Sequence, residues 1–216
     1  MQKKYTTALF DVDGTLITLD GVVKAVQEAM AHLDLKAMDS KDIIHRFVGR
    51  LLITEFSRLY PHIADQAEEF EKIYSAFFIR HHKKYSRLQP YVKEVFKELE
   101  GNRVRIGIVT TKGRKEALAV LNDYGLHYDV LISHNEVPAI KPSPIPLLEA
   151  MTALKANAQQ TIMTGDHIFD VMAAKSADCD GVGVLTGAST KDELEEAGAM
   201  FVIKDLSELP KILGLE

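Results

Sequence analysis

Short apolar runs that do not alternate recur along the chain: Ala8-Leu9-Phe10, Arg105–Thr110 (R-I-G-I-V-T), Val130–Ser133, Thr161–Gly165 (T-I-M-T-G), residues 180–185 and Phe201–Ile203. Runs of this kind suit strands buried on both faces of a parallel sheet. Helical periods fall between them. Residues 112–124 place Ala117, Leu118 and Leu121 on one face and stop at Gly125, and residues 92–99 read as a helix after Pro90. Thr190 with Glu193 forms a capping-box pattern, and Gly198 closes that helix. Strand and helix alternating in this way predict an α/β fold, a Rossmann-like parallel sheet with helices on both sides.

The first and second strands are too far apart for a single crossover. Residues 18–86 read as helix throughout, with Val22-Val23-Val26-Met30, Ile43-Ile44-Phe47 and Phe70-Ile73-Tyr74-Phe77-Phe78 repeating at helical spacing. Pro61 separates two of these helices. The expected organisation is a sheet-based core of residues 1–17 and 87–216, with an all-helical cap domain, 18–86, inserted into it. Entering after the first strand and leaving before Pro90, that insertion could hinge over the strand end.

At 216 residues the chain holds one α/β domain plus an insertion. Its formal net charge of −5 argues against a general nucleic-acid or membrane-surface binder, which needs a basic face. The one cysteine, Cys179, excludes an intramolecular disulfide and reads as a small core residue, so a reducing compartment suits the chain. Met1-Gln2-Lys3-Lys4-Tyr5 run straight into the first strand without a secretory segment, and no later apolar run reaches membrane-spanning length. The expected setting is cytoplasmic.

Chemistry concentrates at strand ends. In F-D-V-D-G-T-L, Asp11 and Asp13 follow an apolar strand, and Gly14 permits a turn that brings the second carboxylate back towards the first. Ligands bind at such carboxyl ends in open α/β sheets. Thr110, followed by Thr111-Lys112-Gly113, offers either a phosphate seat or a helix cap. Lys141 in A-I-K-P-S-P precedes a proline, which favours extended backbone and an aimed charge over a loose loop lysine. Asp166 and Asp170 in T-G-D-H-I-F-D suit magnesium by ligand type, or cap the helix that begins there.

Taken in order, Asp11/Asp13, Thr110, Lys141 and Asp166/Asp170 match the four motifs of the haloacid dehalogenase-like superfamily. The resemblance runs from residue 5 to beyond 187, and the phrase G-I-V-T-T-K is similar to the phosphoglycolate phosphatase and pyrophosphatase-like branch with a helical cap. It implies that Asp11 attacks phosphorus to form an aspartyl-phosphate. Asp13 would act as acid and then base, while Thr110 and Lys141 stabilise the transferring group. The same resemblance implies Mg2+ held by the Asp11 carboxylate, the Asp13 carbonyl and the Asp166 carboxylate, with Asp170 supporting the loop or Lys141.

The resemblance also implies that members cleaving carbon–halogen or carbon–phosphorus bonds lack an acid at the position of Asp13, so its presence favours C–O or P–O phosphoryl chemistry. The implied activity is a phosphatase for a small phosphorylated metabolite, phosphoglycolate first and pyrophosphate next, in a monomer or small homo-oligomer. A sugar-phosphate mutase uses the same motifs, and a non-catalytic binding module would not need all of them. Ile17-Thr18-Leu19-Asp20 departs from the Asp-Ser pair of many relatives, so that pair's role does not carry over. In H-R-F-V-G-R, Arg50, with Arg46 beside it, is a candidate clamp for a substrate carboxylate or second phosphate, or a solvated helix-end arginine. Thr111 is a candidate phosphate contact, and Lys112 could touch phosphate or water. The run Arg80-His81-His82-Lys83-Lys84 reads as a solvated helix end.

Overall fold

The computed structural model describes residues 5–215, so the opening segment before Tyr5 lies outside the described residues. In chain order the elements are β1 (Thr7–Phe10), α1 (Asp20–His32), α2 (Ser40–Phe47), α3 (Leu52–Leu59), α4 (Ala67–Tyr85) and α5 (Val92–Gly101). Then come β2 (Arg105–Thr110), α6 (Arg114–Tyr124), β3 (Val130–Ser133), α7 (Ile145–Leu154), β4 (Thr161–Gly165) and α8 (Ile168–Ser176). The chain ends with β5 (Asp180–Val184), α9 (Lys191–Glu196), β6 (Phe201–Ile203) and α10 (Leu209–Leu213). Two compact units divide it: Met1–Thr18 with Leu88–Glu216, and Leu19–Arg87.

The first unit is built on a six-stranded sheet in the order β3-β2-β1-β4-β5-β6, every pair parallel. This is the α/β architecture expected from the apolar runs. Side chains alternate across β1, and its neighbours show where each face goes. Leu9 joins a buried cluster with Leu147, Ala150 and Met151 of α7 and Ala173 and Ala174 of α8. Phe10, on the opposite face, packs its ring 5.0 Å from that of Phe96 on α5. Helices therefore cover both faces, and the central strands β1, β2, β4 and β5 are almost wholly buried, while the edge strands β3 and β6 are partly exposed. Cys179 belongs to the Leu9 cluster, as a small core residue.

The strand order reverses direction between β1 and β4. That switch point opens a crevice beyond the carboxyl ends of two adjacent strands, where ligands of doubly wound sheets sit. Asp11 follows β1 there and Asp166 follows β4.

The second unit is built of several helices, α1 to α4, with breaks between them. The chain leaves helix after α1, where Asp34 takes a left-handed conformation that short polar side chains tolerate. It re-enters at α2 because the Asp39 side chain accepts a hydrogen bond from the Asp42 N–H at 2.8 Å. Gly49, also left-handed, separates α2 from α3, and Pro61 opens a 310 turn before α4. The unit's core is aromatic. Phe56 lies 4.7 Å from Phe70, and Phe47 lies 5.8 Å from the same ring, centroid to centroid.

On α4 the spacing Phe70, Tyr74, Phe78, His82 puts one residue per turn on the buried face. His82 therefore corrects the reading of residues 80–84 as a solvated helix end. It is buried and stacks on Phe78 at 5.5 Å, while Arg80, Lys83 and Lys84 are exposed.

Candidate active site

The turn after β1 is closed by its own backbone. The Gly14 N–H donates to the Ile17 carbonyl at 2.8 Å, and the Leu16 N–H to the Val12 carbonyl at 2.9 Å. Gly14 has φ +82°, a conformation open to a residue without Cβ, and a Cβ there would collide with the Asp166 carboxylate. Gly187 approaches the same carboxylate from the loop after β5, again with no room for a side chain. The Gly14 carbonyl accepts from the Thr186 hydroxyl at 2.7 Å and from the Gln89 amide at 3.2 Å. The loop that carries Asp11 and Asp13 is thus tied to two others.

Lys141 is the hub. Its Nζ lies 2.9 Å from Asp11 Oδ1, 2.6 Å from Asp170 Oδ1 and 2.8 Å from the Val109 carbonyl oxygen. An ammonium has three N–H groups, so these three acceptors use all of them. Burial works against the charged form of Lys141, yet the Asp11 and Asp170 carboxylates overcome it and raise its pKa above the usual lysine range. The lysine stays cationic.

Asp170 spends both oxygens on protein groups. Beside the Lys141 contact, its Oδ2 accepts the His167 N–H at 3.1 Å, half of a capping box that starts α8. Burial pushes its carboxyl up to about 6, with Lys141 opposing and the Asp11 charge adding to the rise.

Asp166 is fully buried. Its Oδ1 accepts the Thr15 hydroxyl at 3.0 Å and its Oδ2 the Ala188 N–H at 2.8 Å. Burial, then the charges of Asp11 and Asp170, nevertheless raise its pKa well above the ordinary carboxylate value. Asp11, Asp166 and Asp170 bring carboxylate oxygens within 4.8 Å of one another. Three buried carboxylates against one lysine leave surplus negative charge, and the donors are hard oxygens of the kind magnesium takes. The residues present fit such a cation.

Asp13 stands apart from this trio. Its Oδ2 lies 2.9 Å from Lys112 Nζ, and its Oδ1 is buried without a hydrogen-bond partner. Burial raises its pKa, Lys112 opposes, and Asp11 and Glu116 add to the rise. An upward shift is the direction that a proton donor needs.

The remaining residues divide. Thr110 ends β2 and is buried, but it caps no helix: its hydroxyl oxygen accepts the Lys112 N–H at 3.1 Å, and Gly113 is the residue at the start of α6. Thr111 follows it, half-buried. The helix begins two residues later than the period suggested, because residues 111–113 form the turn that carries Lys112 inward. Arg50 lies in the helical unit and is exposed. Lys112, read from the sequence as facing phosphate or water, pairs with Asp13. Residue types alone do not reveal that pairing, nor Thr15, Gln89 or Thr186 as parts of the site.

Comparisons with known proteins bear on this arrangement. The sequence profile of the haloacid dehalogenase-like hydrolases matches residues 8–184. The chain is 32% identical over 215 residues to Pyrophosphatase PpaX of Halalkalibacterium halodurans, covering 97% of each. Its fold superposes on a hydrolase of known structure from Pseudomonas syringae with a TM-score of 0.82 and 26% identity, over 96% of this chain and 99% of the other. A protein from Haemophilus somnus described as a predicted phosphoglycolate phosphatase shares the fold, with a TM-score of 0.87, 22% identity and coverage of 96% and 97%.

Proposed function

The chain belongs to the haloacid dehalogenase-like hydrolase family, and from that premise we propose a magnesium-dependent phosphatase that cleaves a small phosphorylated metabolite through Asp11. The observation that carries the reading is the cluster of Asp11, Asp166 and Asp170 at the sheet's switch point, with Lys141 bound to the first and the last of them. Burying these groups is unfavourable unless a partner charge is present, so the arrangement suits an anionic substrate delivered with a cation.

Asp11, held through Oδ1 by Lys141, attacks phosphorus with a carboxylate oxygen, and the bond to the leaving oxygen breaks. Asp13 gives that oxygen its proton. Water then attacks the aspartyl-phosphate, Asp13 takes the proton back, and free phosphate leaves a regenerated Asp11. With its N–H groups committed, Lys141 contributes its charge and holds Asp11 in place. Thr110, whose oxygen already accepts the Lys112 N–H, still has a hydroxyl proton to offer a phosphoryl oxygen, and Thr111 adds a second hydroxyl beside it.

The Asp11 and Asp166 carboxylates and the Asp13 carbonyl would hold magnesium, which when bound neutralises phosphoryl charge. Asp170 orients Lys141.

Relatives of about 30% identity spanning the whole chain are described as pyrophosphatases. They support pyrophosphate ahead of phosphoglycolate as the first substrate to try. Arg50 is proposed as a clamp for a second phosphate or a carboxylate. The cytoplasm is the proposed setting, on the strength of the single buried cysteine; among the described residues no helix is long and apolar enough to cross a membrane.

The test is phosphate release with magnesium from pyrophosphate, phosphoglycolate, hexose phosphates, nucleotides and an aryl phosphate. One substrate far above the rest is expected. Release from none of them would overturn the reading.

A further inference from the structure

Lys112 is a buried cation outside the Lys141 cluster. It sits in the turn between β2 and α6, and its side chain is 1% exposed. Its backbone is fixed by the bond from its N–H to the Thr110 hydroxyl oxygen. From that anchor Nζ reaches Asp13 Oδ2 at 2.9 Å.

The other oxygen of Asp13 makes the contact informative. Oδ1 is buried and has no hydrogen-bond partner. Leaving a buried acceptor unpaired is unfavourable, and such groups are rare enough in folded proteins that each calls for an explanation. The 2.9 Å contact from Lys112 Nζ fixes Asp13 by Oδ2. It satisfies one oxygen and leaves the second with nothing to do in the resting protein.

We infer that Lys112 is a positioning residue: it clamps Asp13 through Oδ2 and so reserves Oδ1 for the proton passed to the leaving-group oxygen. The inference rests on the proposed role of Asp13 as acid and base. In the first step the Asp11–phosphorus bond forms, the bond from phosphorus to the leaving oxygen breaks, and the proton moves from Asp13 Oδ1 to that oxygen. Lys112 keeps all its protons throughout. Its effect is therefore felt in proportion to how badly the leaving group needs a proton.

That dependence gives the test. kcat/KM is measured with magnesium for phosphate esters whose leaving groups run from alkyl alcohols, which must be protonated, to nitrophenol, which need not be. Lys112→Met is expected to lower kcat/KM about a hundredfold for the alkyl esters and less than about threefold for nitrophenyl phosphate, in keeping with the usual size of acid catalysis. Lys112→Arg keeps the cation and is expected to restore most of the loss.

A uniform fall across the series, or none, overturns the inference while leaving the phosphatase reading intact. If Lys112→Met does not melt cooperatively, Lys112→Gln is read on the same series, and an unchanged slope overturns the inference there too. A wild-type protein inert on every ester overturns the phosphatase reading, and the inference falls with it.

Discussion

The two units bury different things. In the sheet-based unit the buried side chains include Asp11, Lys112, Glu116, Lys141, Asp166 and Asp170, carried by the segments that follow β1, β2, β3 and β4, Glu116 and Asp170 in the first turns of α6 and α8. In the helical unit they are mainly rings and aliphatic chains, Phe47, Phe56, Phe70, Tyr74 and Phe78 among them. Its buried carboxylate, Glu55, is paired with Arg58 on the next turn of its own helix. Buried ion clusters contribute little net stability and are often matched by apolar replacements. Aromatic packing, by contrast, is a direct source of it. The helical unit is organised as packing demands, whereas the sheet-based unit carries an electrostatic burden that chemistry accounts for and packing does not.

That contrast can be broken by experiment. The largest effect expected is from Asp11→Asn, which should lower turnover by at least about a thousandfold while the fold survives. Near-normal turnover in this variant would refute nucleophilic attack by Asp11. Removing divalent metal with a chelator should abolish phosphate release, and added magnesium should restore it. Magnesium should also raise the melting temperature, since a ligand that binds only the folded state stabilises it. Full activity in the chelated protein would separate the carboxylate cluster from metal altogether.

Lys141→Met tests the burden itself. It leaves Asp11 and Asp170 facing each other without their cation, and should destabilise the protein by about 3–5 kcal/mol as well as removing activity. A melting curve unchanged from wild type would mean that the cluster is not under strain. In the helical unit the corresponding probe is Phe56→Ala, which removes a fully buried ring between Phe70 and Tyr60. The expected loss is about 3–5 kcal/mol of stability, with no change in metal dependence. The smallest effect is expected from Arg50→Ala: KM for the preferred substrate should rise about tenfold, as for one charged hydrogen bond, and KM for an aryl phosphate much less. Equal rises for both would remove Arg50 from substrate recognition.

Much of the fold was legible because it is written locally. Buried parallel strands are continuous apolar runs, so β1 to β6 stand out without reference to one another. Helix α9 stands out for a similar reason, since Thr190 and Glu193 form a capping box within one turn. Helix α7 is harder to read. Its sequence I-P-L-L-E-A-M-T-A-L is apolar almost all round, which blurs the helical period. Within the helical unit the break at Pro61 was legible, but those at Asp34 and Gly49 were hidden, because they depend on backbone conformations that residue type permits but does not require.

For the site, the chain order by itself determined which carboxylates could meet. Asp11 and Asp166 each follow an apolar strand directly, and a parallel sheet puts all such ends on one side. The tertiary structure alone decided how their charges are shared. Lys141 reaches Asp11 across 130 residues of chain, Thr15 reaches Asp166 across 151, and Gln89 reaches the Gly14 carbonyl across 75. Lys112 could have faced phosphate or water, and it faces Asp13 instead. The reason is physical. Backbone preference acts over a few residues and leaves its mark in sequence, whereas an ion pair acts over a few ångströms and exists only once distant segments have been packed side by side.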